Sequence, residues 1–239
     1  MDSLKLQPQG KYFISSVRVL DKRSFDGVAL QLFFDVGNYC DSLYSDLEIE
    51  PPFSLEKVSI KRKADFLAGR YAAKQAMQQL SIAYQNITIG DHRQPIWPHG
   101  VVGSISHTQE VAVCLLSKNT QQLIGVDVEN ILDTSVTKEI SKSIISQEEA
   151  NINPSVSGFD LFVTIAFSAK ETLFKALFPQ VGNYFGFDVA QVVSICAGSQ
   201  VIYLRLKESL AEGCSKGREF AIRYEVIDGR VMSYLACKS

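Results

Sequence analysis

Two long helical patterns, one in each half of the chain, constrain the fold more than any other feature. The first covers about residues 54–80 without a proline, and the second covers residues 160–178. Each is accompanied by several short segments in which apolar and polar residues alternate, the pattern of half-buried strands. The sequence therefore predicts an α+β fold, a pseudo-dimer of two similar helix-plus-antiparallel-sheet subdomains.

The predicted boundary between the subdomains is a polar segment near mid-chain. Residues 117–122 separate two strand-like runs at 111–116 and 123–129. We therefore expect an N-terminal subdomain over residues 1–118 and a C-terminal subdomain over residues 119–239. The two are expected to form one integrated catalytic unit with a ligand in the crevice between them.

Other local patterns predict the remaining elements. Ser146-x-x-Glu149 is a capping box and predicts the start of a short helix, and Asp228-Gly229 predicts a tight hairpin turn. Segments 41–52 and 90–103 have the composition of loops. Further strands are predicted at residues 12–20, 28–34, 189–196, 201–206, 220–227 and 231–237.

Composition excludes several classes of protein. The 24 Lys and Arg nearly balance the 26 Asp and Glu, so no overall positive field favours a nucleic-acid partner. No run of 18 apolar residues and no secretory signal is present, so we expect a cytoplasmic protein without a membrane span. The five cysteines form no C-x-x-C pair and the three histidines no H-x-x-x-H motif, so reduced thiols and no zinc site are expected.

A strand-like segment near mid-chain carries two acids on one face. In Leu123-Ile-Gly-Val-Asp-Val-Glu129, the two-residue period of a strand places Asp127 and Glu129 on the same face as Gly125. Carboxylates about 7 Å apart along a strand suit Mg²⁺, which takes one or two protein carboxylates together with phosphate oxygens. The alternative is an exposed sheet face with two solvated acids.

The second helical pattern carries charged residues among apolar ones. Glu171 and Lys175 are four residues apart and share one face of the helix, with Lys170 about 100° away. Neighbours such as Phe167 and Leu173 make much of the helix apolar, which favours a partly enclosed site for these charges. The alternative is an ordinary surface pair of Glu and Lys.

The first helical pattern carries a basic stripe. Lys63, Arg70 and Lys74 fall in one narrow sector between two apolar stripes, and phosphate groups are natural ligands for such cations. The alternative is a solvated face whose long side chains cover apolar surface. Gly69 lies mid-helix, where it costs roughly 1 kcal/mol relative to Ala, so it predicts a close approach of another element.

Further anion ligands are predicted in and after the turn-rich segment. Arg93 is a candidate phosphate ligand, and Ser104, Ser106 and His107 are expected just before a strand, where they can converge on an anion. Alternatively, His107 is a structural residue. A Ser-x-His sequence without a carboxylate partner does not by itself predict a hydrolase.

Acids for a metal, together with basic residues from three segments, predict phosphoryl chemistry on a polyanionic small molecule. The chain has neither a Walker loop nor a G-x-G-x-x-G motif, so the common ATP-binding scaffolds are not expected.

Five motifs, in order, resemble those of the 4'-phosphopantetheinyl transferases. The resemblance is to the broad-specificity Sfp type and, within it, to the enterobactin-synthetase component D-like branch of bacterial siderophore pathways. The motifs lie within about residues 56–178, half of the chain. They are Lys63 to Ala73 ending in Gly69-Arg-Tyr-Ala-Ala73, Arg93-Gln-Pro-Ile-Trp-Pro98, Gly103-Ser-Ile-Ser-His107, Gly125-Val-Asp-Val-Glu129, and Phe167-Ser-Ala-Lys-Glu171 through Lys175.

The resemblance implies an enzyme with coenzyme A and Mg²⁺ in the cleft of a pseudo-dimer. The serine hydroxyl of an apo acyl-carrier or peptidyl-carrier domain would attack the β-phosphate of coenzyme A. The 4'-phosphopantetheine arm would move to the serine, and 3',5'-ADP would leave. The implied role is siderophore or other nonribosomal peptide or polyketide synthesis, and we expect a monomer.

The resemblance also implies roles by motif position. The metal would be held by Asp127, Glu129 and Glu171, and Glu171 is also a candidate base for the serine proton. Lys170 and Lys175 are the other implied catalytic residues and, with His107, would contact the diphosphate. The full set implied to bind coenzyme A is Arg62, Lys63, Arg70, Lys74, Arg93, Ser106, His107, Lys170 and Lys175.

The chain departs from the family pattern at three places. Phe167 stands where the family often has Trp, which keeps an aromatic side chain. Val128, between the two metal carboxylates, offers no ligand, so water is expected to complete that coordination. Residues 130–158 are expected to flank the carrier-protein surface but match no motif.

Two other functions remain open from the sequence. A catalytically silent coenzyme A-binding or carrier-binding module would be expected to lack a metal carboxylate or the Lys-Glu pair, and all are present. A metal-dependent phosphohydrolase acting on a small nucleotide would fit the acids and cations, but it gives no reason for five motifs in order.

Overall fold

The computed structural model describes residues 12–22, 25–52, 57–152 and 156–238. The chain divides into two compact units, residues 1–120 and 121–239. In each unit a long helix packs on an antiparallel sheet, so the predicted α+β class is confirmed.

The first unit contains a four-stranded sheet in the order β1-β2-β6-β5, with every neighbouring pair antiparallel. A separate two-stranded hairpin, β3-β4, lies in the segment between the long helix and the last two strands. The elements in chain order are β1 (Ile14–Leu20), β2 (Val28–Phe34), α1 (Leu43–Asp46), α2 (Ile60–Gln79), β3 (Thr88–Ile89), β4 (Pro95–Ile96), β5 (Val102–Thr108) and β6 (Val111–Ser117).

Helix α2 approaches its sheet closely because its buried face is made of small residues. Ala64, Ala68, Ala72 and Ala76 repeat every fourth position and are all fully buried. A Cβ added at Gly69 would lie 3.0 Å from a methyl carbon of Ile105 on β5. The close approach predicted at Gly69 is therefore confirmed.

The second unit contains a five-stranded antiparallel sheet in the order β7-β11-β10-β9-β8. Its elements in chain order are β7 (Gln122–Asn130), α3 (Thr134–Ile144), α4 (Gln147–Ala150), α5 (Phe159–Val181), β8 (Ala190–Cys196), β9 (Val201–Leu206), β10 (Glu219–Ile227) and β11 (Arg230–Lys238).

Helix α5 is apolar on most of its circumference and lies over the sheet of the second unit. The helix was predicted to end at residue 178 because Pro179 follows, but it continues through Val181. A proline near the end of a helix removes one hydrogen bond of the last turn. Gly182, at φ +70°, then ends the helix in the left-handed conformation.

Three local predictions were wrong and two are confirmed. The predicted loop at 41–52 contains the short helix α1, the predicted loop at 90–103 contains β4 and the start of β5, and α3 was not predicted. The capping box at Ser146 and Glu149 is formed. Asp228 and Gly229, both at positive φ, connect β10 and β11 as expected of a tight hairpin.

Two expectations concern the whole chain. All five cysteines are free thiols, as predicted. Within the described ranges, no helix is long and apolar enough to cross a membrane.

Candidate active site

The site in the second unit depends on a close contact between β7 and α5. A Cβ added at Gly125 would overlap the carbonyl oxygen of Thr172 and lie 3.0 Å from the Cβ of Ala176. Only glycine therefore lets the strand come this near to the helix. Asp127 and Glu129 follow on the same face of β7, which brings them towards the part of α5 that carries Glu171 and Lys175.

Asp127 is a buried acid bound to a lysine of the helix. Its side chain is 3% exposed, and its Oδ1 accepts a hydrogen bond of 2.7 Å from Lys175 Nζ. The alternative of two solvated acids on an exposed sheet face is therefore wrong, since α5 covers this face of β7 at Gly125 and Asp127.

Glu129 and Glu171 belong to the same electrostatic cluster. The pKa of Glu129 is raised to about 7, chiefly by burial and also by the charges of Asp127 and Glu171, while Lys175 opposes the rise. Burial also raises the pKa of Glu171, with Lys175 lowering it and Asp127 raising it. The charges of three acids and one lysine thus interact electrostatically in a partly desolvated environment.

These carboxylates fit a hard divalent cation by their chemistry. Mg²⁺ prefers oxygen ligands, and a dication would relieve the mutual repulsion that raises the pKa of Glu129. As the side chains stand, no three acidic, His or Cys residues in the described part of the chain converge closely enough to hold a metal ion. Binding would therefore require side-chain adjustment, beginning with the Lys175–Asp127 contact.

A pocket opens beside Glu171 on the same unit. Its walls include Phe174, Tyr184 and Phe185, and the ring of Phe174 lies 5.4 Å and 4.9 Å from the rings of the other two. Aromatic walls next to a carboxylate suit a ligand that has an apolar arm and a charged end.

Lys170 lies apart from the acid cluster although it precedes Glu171. Its ammonium is buried and contacts Glu149 Oε1 at 2.8 Å, the carbonyl oxygen of Ile144 at 2.8 Å and that of Phe187 at 3.2 Å. An ammonium has three N–H donors, and these three acceptors use all of them. The predicted contact of Lys170 with a diphosphate does not fit this placement.

Arg70 and Lys74 are buried in the first unit, so the alternative of a solvated face is wrong for these two residues. Lys74 Nζ donates to the carbonyl oxygen of Leu47 at 2.9 Å and to Glu48 Oε2 at 2.6 Å. Arg70 Nε donates to the carbonyl oxygen of Ile87 at 3.0 Å, and burial lowers the pKa of Arg70 to about 10. Of the three guanidinium nitrogens of Arg70, only Nε has a hydrogen-bond partner among the described residues.

The other basic residues of the first unit are more accessible. Arg62 is exposed in the first turn of α2, and Arg93 is exposed at φ +65° in the turn between β3 and β4. Lys63 is partly buried and its Nζ lies 3.2 Å from Asp41 Oδ1. Asp41 therefore supplies a counter-charge that the sequence pattern of α2 alone did not show.

Ser106 and His107 precede strand β6 as predicted, but they lie on a strand of their own, β5, which was not predicted. Successive residues of a strand point to opposite faces, so the two side chains do not converge from one face. His107 lies towards α2, with its Nδ1 3.9 Å from Asp65 Oδ2. Helix α2 therefore places a carboxylate near His107 but beyond hydrogen-bond distance, and Asp65 Oδ2 accepts a hydrogen bond of 2.7 Å from Lys61 Nζ.

Sequence reasoning missed Asp65 and Glu149 as neighbours of the predicted site residues. Asp65 falls inside the first motif and could have been noticed as an acid on the buried side of α2. Glu149 was recognised only as half of a capping box, and nothing local indicates its contact with Lys170, 21 positions further along the chain.

The second unit brings together one buried carboxylate, two half-buried carboxylates and a lysine, carried by strand β7 and helix α5. These are the residue types of a metal-assisted phosphoryl-transfer site.

Family models give this class a more specific identity. The model described as "4'-phosphopantetheinyl transferase N-terminal domain" matches residues 52–117, and that of the "4'-phosphopantetheinyl transferase superfamily" matches residues 123–226. The chain belongs to the 4'-phosphopantetheinyl transferase superfamily, as the five motifs predicted.

Individual relatives agree with this assignment. Enterobactin synthase component D of Escherichia coli (strain K12) is 36% identical over 181 residues, covering 74% of this chain and 82% of that protein. The Salmonella typhi protein of the same name is 41% identical over 144 residues, and the match spans 59% of its length. The 4'-phosphopantetheinyl transferase PptT of Mycobacterium tuberculosis is 30% identical over 159 residues, covering 63% of this chain and 68% of that protein.

Proposed function

We propose that this protein transfers the 4'-phosphopantetheine arm of coenzyme A to a serine of an apo acyl-carrier or peptidyl-carrier domain and releases 3',5'-ADP. The observation that carries the proposal is the cluster of the buried Asp127 with the half-buried Glu129, Glu171 and Lys175, built by a strand and a helix inside the matched superfamily region. Membership in the superfamily supports the choice of substrate class.

The acids would hold Mg²⁺. Asp127, Glu129 and Glu171 are its proposed ligands, and the bound cation would neutralise charge on the diphosphate oxygens of coenzyme A.

Glu171 is the proposed base for the serine hydroxyl. Burial raises its pKa, which makes the carboxylate a better proton acceptor than an exposed glutamate. Lys175 is proposed to donate to the diphosphate and to stabilise the charge that develops on the leaving 3',5'-ADP. Its contact with Asp127 already places the ammonium among the carboxylates.

The nucleotide end is proposed to bind to basic and polar residues of the first unit. Arg70, Arg93 and His107 are the main candidates, because Arg93 is exposed, His107 is partly exposed and Arg70 uses only its Nε within the described residues. Arg62, Lys63 and Ser106 are secondary candidates. Lys74 is a structural residue in this proposal, since its ammonium is bound to Leu47 and Glu48.

The proposed pathway is siderophore or other nonribosomal peptide or polyketide synthesis. The support is the name of the relatives from Escherichia coli and Salmonella, enterobactin synthase component D. The aromatic pocket beside Glu171 would suit the apolar part of the arm that is transferred.

Intact-mass spectrometry of a carrier tests the proposal. An apo peptidyl-carrier domain is incubated with the protein, coenzyme A and Mg²⁺, with an EDTA sample and a carrier whose acceptor serine is replaced by alanine as controls. We expect the mass to rise by one phosphopantetheine in the complete sample alone. No gain with several unrelated carriers, despite measurable coenzyme A binding, would favour the silent binding module.

A further experiment distinguishes a transferase from a phosphohydrolase. Incubation of the protein with coenzyme A and Mg²⁺ but without a carrier should leave coenzyme A intact if the protein is a transferase. Steady release of 3',5'-ADP in that sample would instead support hydrolysis.

A further inference from the structure

Lys170 joins several elements of the second unit to α5. Its contact with the carbonyl oxygen of Ile144 places a cation at the last residue of α3, where helix carbonyls lack intrahelical partners. Its contact with the carbonyl oxygen of Phe187 reaches the turn that precedes β8. One ammonium thus ties the middle of α5 to two separate segments.

Glu149 completes this network. Its Oε1 lies 2.8 Å from Lys170 Nζ and accepts a hydrogen bond of 2.7 Å from the backbone N–H of Val192 on β8. Its Oε2 accepts a hydrogen bond of 2.7 Å from the backbone N–H of Ser146, which closes the capping box of α4. Both oxygens of a buried carboxylate are therefore used, and three elements meet at this side chain.

A second anchor holds the opposite side of α5. Ser168 Oγ and Thr172 Oγ1 lie 2.7 Å and 2.6 Å from Ser233 Oγ on β11. At 100° per residue, Lys170 is about 200° from both Ser168 and Thr172 around the helix. The contacts of Lys170 and the hydroxyl contacts with Ser233 therefore hold different sides of α5.

Glu171 lies between these anchors. It is about 100° from Lys170 on one side and about 100° from Thr172 on the other. Rotation of α5 about its axis would move the Glu171 carboxylate away from Asp127 and Glu129, and both anchors resist that rotation.

We propose that Glu149 is a positioning residue for the acid cluster. It holds Lys170, and through Lys170 it fixes the rotation of α5 that directs Glu171 towards Asp127 and Glu129. The metal role of these three acids rests on the proposed function, whereas the placement of Glu171 by Glu149 rests on the contacts of the second unit.

Three variants test this role: Glu149→Gln, Lys170→Met and the double variant. Each single change leaves one charge buried without its partner, which is strongly destabilising. The double variant removes both charges, so we expect it to regain much of the lost Tm. A matched control is Ile222→Ala, which opens the same core on β10 without touching the network.

The first readout is binding of Mn²⁺ alone, followed by electron paramagnetic resonance. We expect the folded double variant to bind Mn²⁺ about tenfold or more weakly than the wild-type protein, the range found for residues that orient metal ligands. The Ile222→Ala variant should bind Mn²⁺ like wild type despite its lower Tm. A double variant that regains both the Tm and the Mn²⁺ affinity of wild type would overturn the proposal.

The second readout is coenzyme A affinity by calorimetry without metal. A positioning role predicts that all three variants keep the wild-type affinity, because the ammonium of Lys170 is held by Glu149 and two backbone carbonyl oxygens. Weaker coenzyme A binding by Lys170→Met but not by Glu149→Gln would mean that Lys170 contacts the diphosphate directly, and would overturn the proposal. Transfer activity of the wild-type protein tests the proposed function separately, since Mn²⁺ affinity is measured without any carrier.

Discussion

Thr172 and Ser233 show how single hydroxyl groups hold the site together. Thr172 Oγ1 lies 2.6 Å from Ser233 Oγ and donates to the Ser233 carbonyl oxygen at 3.2 Å, and both residues are fully buried. In the β7–β11 register Ser233 is paired with Asp127. The hydroxyl cluster therefore lies directly beside the acid cluster.

Thr172→Val should lower the free energy of unfolding by about 1 to 3 kcal/mol, because it removes a buried hydrogen-bond partner while keeping the shape of the side chain. Thr172→Ser keeps the hydroxyl, so its free energy of unfolding should fall less than that of Thr172→Val. Urea denaturation of both variants measures the difference. A Val variant as stable as wild type, or less affected than the Ser variant, would contradict this account of the cluster.

Arg70 and Lys74 are predicted to differ in function although both are buried cations of α2. Arg70→Lys keeps a charge but loses the planar fork, so it should weaken coenzyme A binding by about 1.5 to 3 kcal/mol. Lys74→Met should lower the Tm and leave that affinity unchanged, because Leu47 and Glu48 already occupy the ammonium. Calorimetric titration with coenzyme A measures the affinity of both variants. Weaker binding by Lys74→Met and unchanged binding by Arg70→Lys would contradict the roles given to the two residues.

At the scale of elements, the contact of β7 with α5 is the least tolerant of change. The added methyl group of Gly125→Ala would push β7 away from the Thr172 carbonyl of α5. Overpacking of this kind lowers the free energy of unfolding by about 1 to 3 kcal/mol or more. Gly69→Ala is the matched control, because the neighbouring Ile105 methyl can shift and the helix gains about 1 kcal/mol of propensity. Denaturant unfolding should show a large loss for the first variant and a small change for the second. Equal losses would contradict the argument.

The elements that the sequence predicted well have strong and simple patterns. Apolar runs predicted β2 and β6, and the two long helical patterns predicted α2 and α5. Helix α2 begins at Ile60, later than the predicted residue 54, and residues 54–56 of that prediction lie outside the described residues. β5 was missed because Gly103-Ser-Ile-Ser-His107 has one large apolar residue, and its buried serines do not read as a strand. Helix α3 was missed because only 11 residues carry its pattern.

The spatial grouping of the predicted residues could be foreseen where one element carries the geometry, and it was missed where distant segments meet. The period of β7 places Asp127 and Glu129 on one face, and the motif pattern added Glu171 and Lys175. The partners of Lys170 and Lys74 come from Glu149 and Glu48, more than 20 positions away, and no local pattern shows such contacts. The sequence therefore overestimated how many lysines are available to a phosphate.

At the scale of the whole molecule, the described residues form a hydrophobic core in each unit, and the chain has a net charge of −2. The acids of the second unit are the one place among the described residues where we expect a divalent cation to bind. Mg²⁺ at 100 times its dissociation constant should raise the free energy of unfolding by about 2.7 kcal/mol through mass action.

This stabilisation should appear in calorimetry as a rise of the Tm that EDTA reverses. The Asp127→Asn variant should show no such rise, while the Arg93→Ala variant, which changes an exposed residue outside the acid cluster, should show it in full. An equal rise in Asp127→Asn would mean that the cation binds elsewhere.

The most direct measurement is intact-mass spectrometry of an apo peptidyl-carrier domain treated with coenzyme A and increasing Mg²⁺ by the wild-type and Asp127→Asn proteins. The Asn side chain keeps the size of Asp but removes the charge that the cluster is proposed to use. The account predicts that the wild-type protein adds one phosphopantetheine to the carrier and that Asp127→Asn, still folded by circular dichroism, adds none at the same Mg²⁺ concentration. Equal modification of the carrier by both proteins would contradict the assignment of the acid cluster as the centre of the reaction.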